Sequence, residues 1–128
     1  MLKKKIFIAD DEEDVLSLLK DFLVSHDFEV MGIKEPKNIF ASVISFKPDL
    51  ILLDLLMPDL GGFEICEILN KNLQTCEIPI IIITGFGNLA DVKKAYSLGA
   101  VEYLVKPFSL DNLLTKITKT INNKETKL

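Results

Sequence analysis

Lys47-Pro48-Asp49-Leu50-Ile51-Leu52-Leu53-Asp54-Leu55-Leu56-Met57-Pro58-Asp59-Leu60-Gly61-Gly62 is the stretch that decides the fold. Its apolar run is too short and too evenly hydrophobic for an amphipathic helix, and prolines flank it, so it reads as a strand buried on both faces. The strand closes on a carboxylate, Asp54. In a parallel α/β sheet the carboxyl ends of the strands line the crevice where ligands bind, which places Asp54 at a mouth rather than in a core. A carboxylate ending an apolar strand is costly unless it is paired or liganded.

Working outward, the same alternation recurs. Ile6-Phe7-Ile8-Ala9 reads as a first strand that stops at Asp10-Asp11-Glu12-Glu13-Asp14. Val15, Leu16, Leu18, Leu19, Phe22 and Leu23 then follow at helical spacing. Phe28 to Ile33 makes a second strand, and Ile39, Phe40, Val43, Ile44 and Phe46 a second helix ending before Pro48. After the third strand, Gly61-Gly62 loosens the loop and Phe63, Ile65, Cys66, Ile68 and Leu69 mark a third helix. Ile78-Pro79-Ile80-Ile81-Ile82-Ile83 is a central buried strand with its proline near the start, where a lost N–H is tolerated.

Thr84-Gly85-Phe86-Gly87 leads to a fourth helix bearing Leu89, Val92, Ala95, Tyr96 and Leu98, with Gly99 as its C′ residue. Val101 to Val105 alternates more, as an edge strand with one wet face does. Ser109 caps a last helix bearing Leu110, Leu113, Leu114, Ile117 and Ile121, and a polar tail over 122–128 is expected to fray. Strands alternating with helices give one α/β domain over 4–121, a parallel sheet covered on both faces.

Composition narrows the function. The 128 residues suit one domain, and 48% hydrophobic with 27% charged residues can bury a core. A net charge of −4 offers no field for nucleic acid phosphates. Cys66 and Cys76 form no CxxC pair and read as structural thiols in a reducing compartment. The basic start Lys3-Lys4-Lys5, a solvated lead-in, is followed by too few apolar residues for a signal peptide, and no apolar run approaches the ~20 residues of a membrane span. A cytoplasmic location is expected. His26, near the end of the first helix, reads as a surface or capping residue.

The strand ends share one rim, bringing Asp10 and Asp11, Asp54, Thr84 and Lys106 together. Unit charges ~4 Å apart interact by about 4 kcal/mol at an effective dielectric of 20, so pooled carboxylates need cations. Lys106 supplies one charge, and a hard divalent ion such as Mg²⁺ suits the oxygen ligands and a phosphate-bearing substrate. An ionised aspartate is a competent nucleophile toward phosphorus once that charge is neutralised, with Thr84 and Lys106 donating to phosphoryl oxygens.

Asp10-Asp11-Glu12, Asp54-Leu55-Leu56-Met57-Pro58 with Gly62, Ile83-Thr84-Gly85 and Tyr103-Leu104-Val105-Lys106-Pro107-Phe108 together resemble the receiver domain of two-component response regulators, from roughly Lys4 to Ile121. The resemblance implies a flavodoxin-like doubly wound sheet of order 2-1-3-4-5 with five helices on two faces. It implies Asp54 as phosphoacceptor from a sensor histidine kinase or histidine phosphotransfer protein. Asp11 would ligate Mg²⁺ directly, with Mn²⁺ as an alternative; Asp10 would hold metal-bound water, and the Leu56 carbonyl would be a further ligand. Lys106 would grip the phosphoryl group, its peptide to Pro107 being cis. Thr84 and Tyr103 resemble the switch pair that reports to a face built from the fourth helix, fifth strand and fifth helix, a face through which a phosphorylation-dependent homodimer could form.

Two departures carry consequences. Gly61 stands where the family often has Asp or Asn, which alters only the loop. Leu56 and Phe86 are apolar at positions that in the family it resembles tune hydrolysis of the acyl phosphate, so slow autodephosphorylation is expected. Two rivals stand beside the receiver. A haloacid-dehalogenase-like phosphatase shares the strand-end aspartate, Mg²⁺, hydroxyl and lysine but needs a second acid where Leu56 lies, and a phosphorylation-independent interaction module would not need the full acid set. No helix-turn-helix or catalytic extension is evident after Ile121, so a stand-alone receiver and a piece of a longer regulator or hybrid kinase are both open.

Overall fold

A computed structural model describes residues 2–56, 61–85 and 87–126, the side chains of 125 and 126 excepted. Five strands alternate with five helices among these residues: β1 (Lys5–Ala9), α1 (Glu13–Ser25), β2 (Glu29–Ile33), α2 (Ile39–Phe46), β3 (Leu50–Asp54), α3 (Gly62–Lys71), β4 (Ile80–Thr84), α4 (Leu89–Ser97), β5 (Glu102–Val105) and α5 (Leu110–Thr126). The strands pair in parallel in the order β2-β1-β3-β4-β5, the doubly wound arrangement expected.

The two central strands are fully buried along their length, and side-chain alternation divides the core in two. Phe7, Ala9, Ile51, Leu53, Ile80 and Ile82 face α2, α3 and α4, where they meet Ile39, Val43, Ile65, Cys66, Leu69 and Ala95. Ile6, Ile8, Leu50, Leu52, Ile81, Ile83 and Leu104 face α1 and α5, against Leu19, Leu23, Leu113, Ile117 and Ile121. Each fully buried Leu or Ile contributes about 1.5–3 kcal/mol of transfer free energy, and the parallel register sets Asp54 beside Ile83 and Thr84 beside Val105. That fixes which strand-end side chains meet at the rim.

Local signals behave as their chemistry dictates. Asn88 caps α4 by accepting from the Asp91 N–H, and Ser109 Oγ accepts from the Asn112 N–H at the start of α5. Gly99 follows α4 at φ 112°, and His26 closes α1 with its ring nitrogen 2.9 Å from the Phe22 carbonyl.

Some boundaries differ from the sequence expectation. β4 begins at Ile80 rather than Ile78 because Pro79 has no N–H to donate, though its carbonyl accepts from Ile51. β5 begins at Glu102, one residue late. α5 extends beyond Ile121 to Thr126, since each further turn adds backbone hydrogen bonds once a helix is nucleated. Lys127 lies outside the described residues. Lys5 is no solvated lead-in: it lies in β1, its Nζ donates to the Phe46 carbonyl at 3.1 Å, and it sits 5.2 Å from the Phe46 ring centre.

Candidate functional site

The rim at the carboxyl ends of β1, β3 and β5 gathers charge that the core cannot neutralise. Asp10 follows β1 with no exposure and Asp54 ends β3 with 1% exposure. Lys106 follows β5, and its Nζ lies 2.9 Å from Asp10 Oδ2, 2.9 Å from Glu12 Oε1 and 3.2 Å from Asp54 Oδ2. The backbone steers both acids: the Glu12 N–H donates to Asp10 Oδ1 at 2.9 Å, and the Leu56 N–H donates to Asp54 Oδ1 at 3.0 Å. The Lys106 N–H donates to the Thr84 carbonyl at 2.7 Å, which fixes the lysine at the end of the sheet. The Lys106–Pro107 peptide is cis.

Electrostatics follow from one ammonium serving three carboxylates. Burial raises the Asp10 carboxyl above its ordinary range, and the charge of Asp54 adds to this; the Glu12 N–H and Lys106 pull it back only in part. Burial works against the Lys106 ammonium, but Glu12, Asp10 and Asp54 outweigh it and its pKa ends above the usual lysine range. Lys106 therefore stays charged throughout the physiological range.

Asp10 Oδ2 touches that ammonium without the alignment of a hydrogen bond, and has no other hydrogen-bond partner among the described residues. Carboxylate oxygens of Asp10, Glu12 and Asp54 lie within 4.8 Å of one another. A buried oxygen with no aligned hydrogen-bond donor among the described residues, within an all-oxygen set this compact, fits a hard divalent ion such as Mg²⁺.

The structure brings Asp10, Asp54 and Lys106 together, as the strand ends required, but adds Glu12 and leaves Asp11 exposed and outside this group. Glu12 lies in the acidic run, where no sequence pattern gives it a role of its own. It precedes α1 without making a side-chain cap, and its separation from Lys106 along the chain hides the pairing from any local pattern.

Thr84 is fully buried at the end of β4. Alternation places it on the side of Ile80 and Ile82, the side against which the partly buried Tyr103 packs. Burial, then the charges of Asp91 and Asp54, raise the Tyr103 hydroxyl pKa. Leu56 is half exposed beside Asp54, whereas Phe86 and the Met57-Pro58 part of the loop lie outside the described residues.

Gly62 corrects the idea of a loosened loop. It is the first residue of α3, and a Cβ there would come within 2.4 Å of Leu55 Cα and 2.7 Å of the Asp54 carbonyl oxygen. The helix thus packs directly on the backbone that presents Asp54, and the glycine serves close approach. Gly61 faces open space, in keeping with a substitution that affects only the loop.

Residues 6–118 match the family model of the response regulator receiver domain. The chain is 34% identical over 123 residues to a probable transcriptional regulator ycf27 of Cyanophora paradoxa, covering 96% of this chain and 50% of that one. It is 30% identical over 113 residues to the DNA-binding dual master transcriptional regulator RpaA of a Synechocystis strain, covering 88% and 47%. The chain thus spans about half the length of these relatives. Among solved structures, a CheY-like response regulator receiver domain protein from Methanospirillum hungatei superposes with a TM-score of 0.92 at 27% identity, over 99% of this chain and 100% of that one.

Proposed function

The chain belongs to the response regulator receiver domain family, the phosphorylation-activated switches of two-component signalling, and from this we propose that Asp54 is its phosphoacceptor. The supporting observation is Asp54 itself: a nearly buried carboxylate with one oxygen fixed by the Leu56 N–H and the other facing Lys106. In the proposed transfer a carboxylate oxygen of Asp54 forms a bond to phosphorus as the P–N bond of a donor phosphohistidine breaks. The imidazole nitrogen leaves with the electron pair and takes up a proton.

Asp10, Asp54 and the Leu56 carbonyl would hold Mg²⁺, or Mn²⁺ in its place, with Asp11 turning in from its exposed position to join them. Bound there, the ion supplies positive charge that offsets the phosphoryl oxygens. Lys106 holds a phosphoryl oxygen by a charge-assisted hydrogen bond, and Thr84 offers its hydroxyl to another. Movement of Thr84 frees space on the α4 side of the sheet for Tyr103, which shares that side. The change is read on the face of α4, β5 and α5, where Leu89, Tyr96 and Val105 are exposed.

The donor is a sensor histidine kinase or a histidine phosphotransfer protein. The output is a downstream protein or domain, in the manner of the transcriptional regulators the chain resembles, or a homodimer formed through the same face; the chain itself does not bind DNA. The proposed switch works in the cytoplasm; among the described residues no helix is long and apolar enough to cross a membrane. The acceptor phosphorylates and dephosphorylates itself rather than turning over an external substrate.

Incubation with Mg²⁺ and acetyl phosphate tests the assignment. A receiver gains one labile phosphoryl group per chain, lost in Asp54→Ala. Continuous release of phosphate beyond one equivalent would indicate a phosphatase, and no incorporation would indicate an interaction module.

A further inference from the structure

Lys106 must serve two states. In this structure its ammonium lies among oxygens of Asp10, Glu12 and Asp54, the convergence a divalent ion would also seek. A cation taking the oxygens of Asp10 and Asp54 removes two of the three carboxylates that the ammonium meets among the described residues. The third differs in kind: the Glu12 side chain is 59% exposed, against 0% for Asp10 and 1% for Asp54, and so lies on the open side of the rim. Its backbone is tied to the site, because the Glu12 N–H donates to Asp10 Oδ1.

We infer that Glu12 is a positioning residue for Lys106, holding the ammonium at the open edge of the rim when a divalent ion occupies the buried carboxylates. Without Glu12 the displaced ammonium has no further carboxylate within contact among the described residues, so metal entry would strand it. With Glu12 the lysine exchanges partners and stays beside Asp54, where an incoming phosphoryl group needs it. In this role Glu12 acts through Lys106 rather than on the acceptor or the reacting phosphorus. The inference rests on the receiver reading of the site.

Magnesium titration of the full chain by calorimetry, without phosphodonor, tests it in a double-mutant cycle. Glu12→Gln is expected to weaken Mg²⁺ binding about fivefold, a coupling of the size seen for contacting charged groups. In a Lys106→Met background the same change is expected to matter less than about twofold. Glu12→Asp, which keeps the charge but shortens its reach, recovers only part of the affinity. Equal weakening in both backgrounds would mean that Glu12 acts on the ion itself and would overturn the inference, as would an unchanged affinity in Glu12→Gln.

The ¹⁵Nζ resonance of Lys106 in the Mg²⁺-saturated protein gives a readout that needs no lysine variant. It shifts on Glu12→Gln if the two side chains remain in contact, and an unmoved resonance contradicts the inference. Failure of Asp54 to accept a phosphoryl group would undo the receiver reading, whereas an Asp54 that is labelled without Glu12–Lys106 coupling would undo this inference alone.

Discussion

The two ends of the sheet use the same residue types to opposite effect. At the amino ends, the Lys5 N–H donates to Asp49 Oδ2 at 2.8 Å, the Asp49 N–H returns a bond to the Lys5 carbonyl at 2.8 Å, and Lys5 Nζ reaches the Phe46 carbonyl. That lysine and aspartate close on backbone groups and staple β1 to β3. At the carboxyl ends, Asp10, Glu12 and Asp54 crowd around one ammonium, and a buried oxygen of Asp10 has no aligned hydrogen-bond donor among the described residues. An aspartate beside a lysine is therefore no signature of function by itself. What separates the working end is an unfinished charge and hydrogen-bond balance, a cost to stability that a metal ion and a phosphoryl group can relieve.

The largest expected effect sharpens how the working end is supported. Gly62→Ala drives a Cβ into the backbone of Asp54 and Leu55, so urea denaturation should show a loss of about 2–3 kcal/mol, with slower phosphorylation in the fraction that remains folded. Asp49→Ala opens the staple at the other end. Its removal should cost about 1–2 kcal/mol by the same measurement while leaving acetyl phosphate labelling intact.

The rim should respond in the opposite sense. Asp10→Asn keeps an oxygen for the Glu12 N–H but removes a charge that burial disfavours, so in chelator the variant should gain about 1 kcal/mol of stability while binding Mg²⁺ more weakly. A loss of stability at Asp10 equal to that at Asp49 would break the comparison. Smaller still, Leu56→Asn should shorten the phosphoryl lifetime severalfold when decay is followed by intact mass, and an unchanged decay rate would count against the apolar residue as the brake. Finally, burial pushes the Cys66 thiol up to about 11 while Cys76 is exposed, so one thiol of the native chain should react promptly with a disulfide reagent and the second only on unfolding.

Much of this was legible in the sequence because the governing signals are local. The isoleucines of β4 and the leucines of β3 announce strands buried on both faces, and a parallel sheet then sends Asp10, Asp54 and Lys106 to one edge. Glu12 was harder, because an acid ahead of a helix reads as a response to the helix dipole and nothing nearby reveals its lysine. Three acids facing one lysine was the available clue. Gly62 was misread for a related reason: a glycine that permits close approach and one that loosens a loop look alike until the backbone it packs on is known. The end of α5 escaped because apolar periodicity reports the buried face of a helix and is silent on a polar last turn.

Thermal melting with Mg²⁺, then with Mg²⁺ and beryllofluoride as a phosphoryl mimic, tests the central claim most directly. Ligands that bind only the folded state raise its melting temperature, so two successive increments are expected in the wild type and in Asp49→Ala, with the beryllofluoride increment absent in Asp54→Asn. A wild-type protein that shows neither increment, or an Asp54→Asn variant that retains the second, would contradict the account.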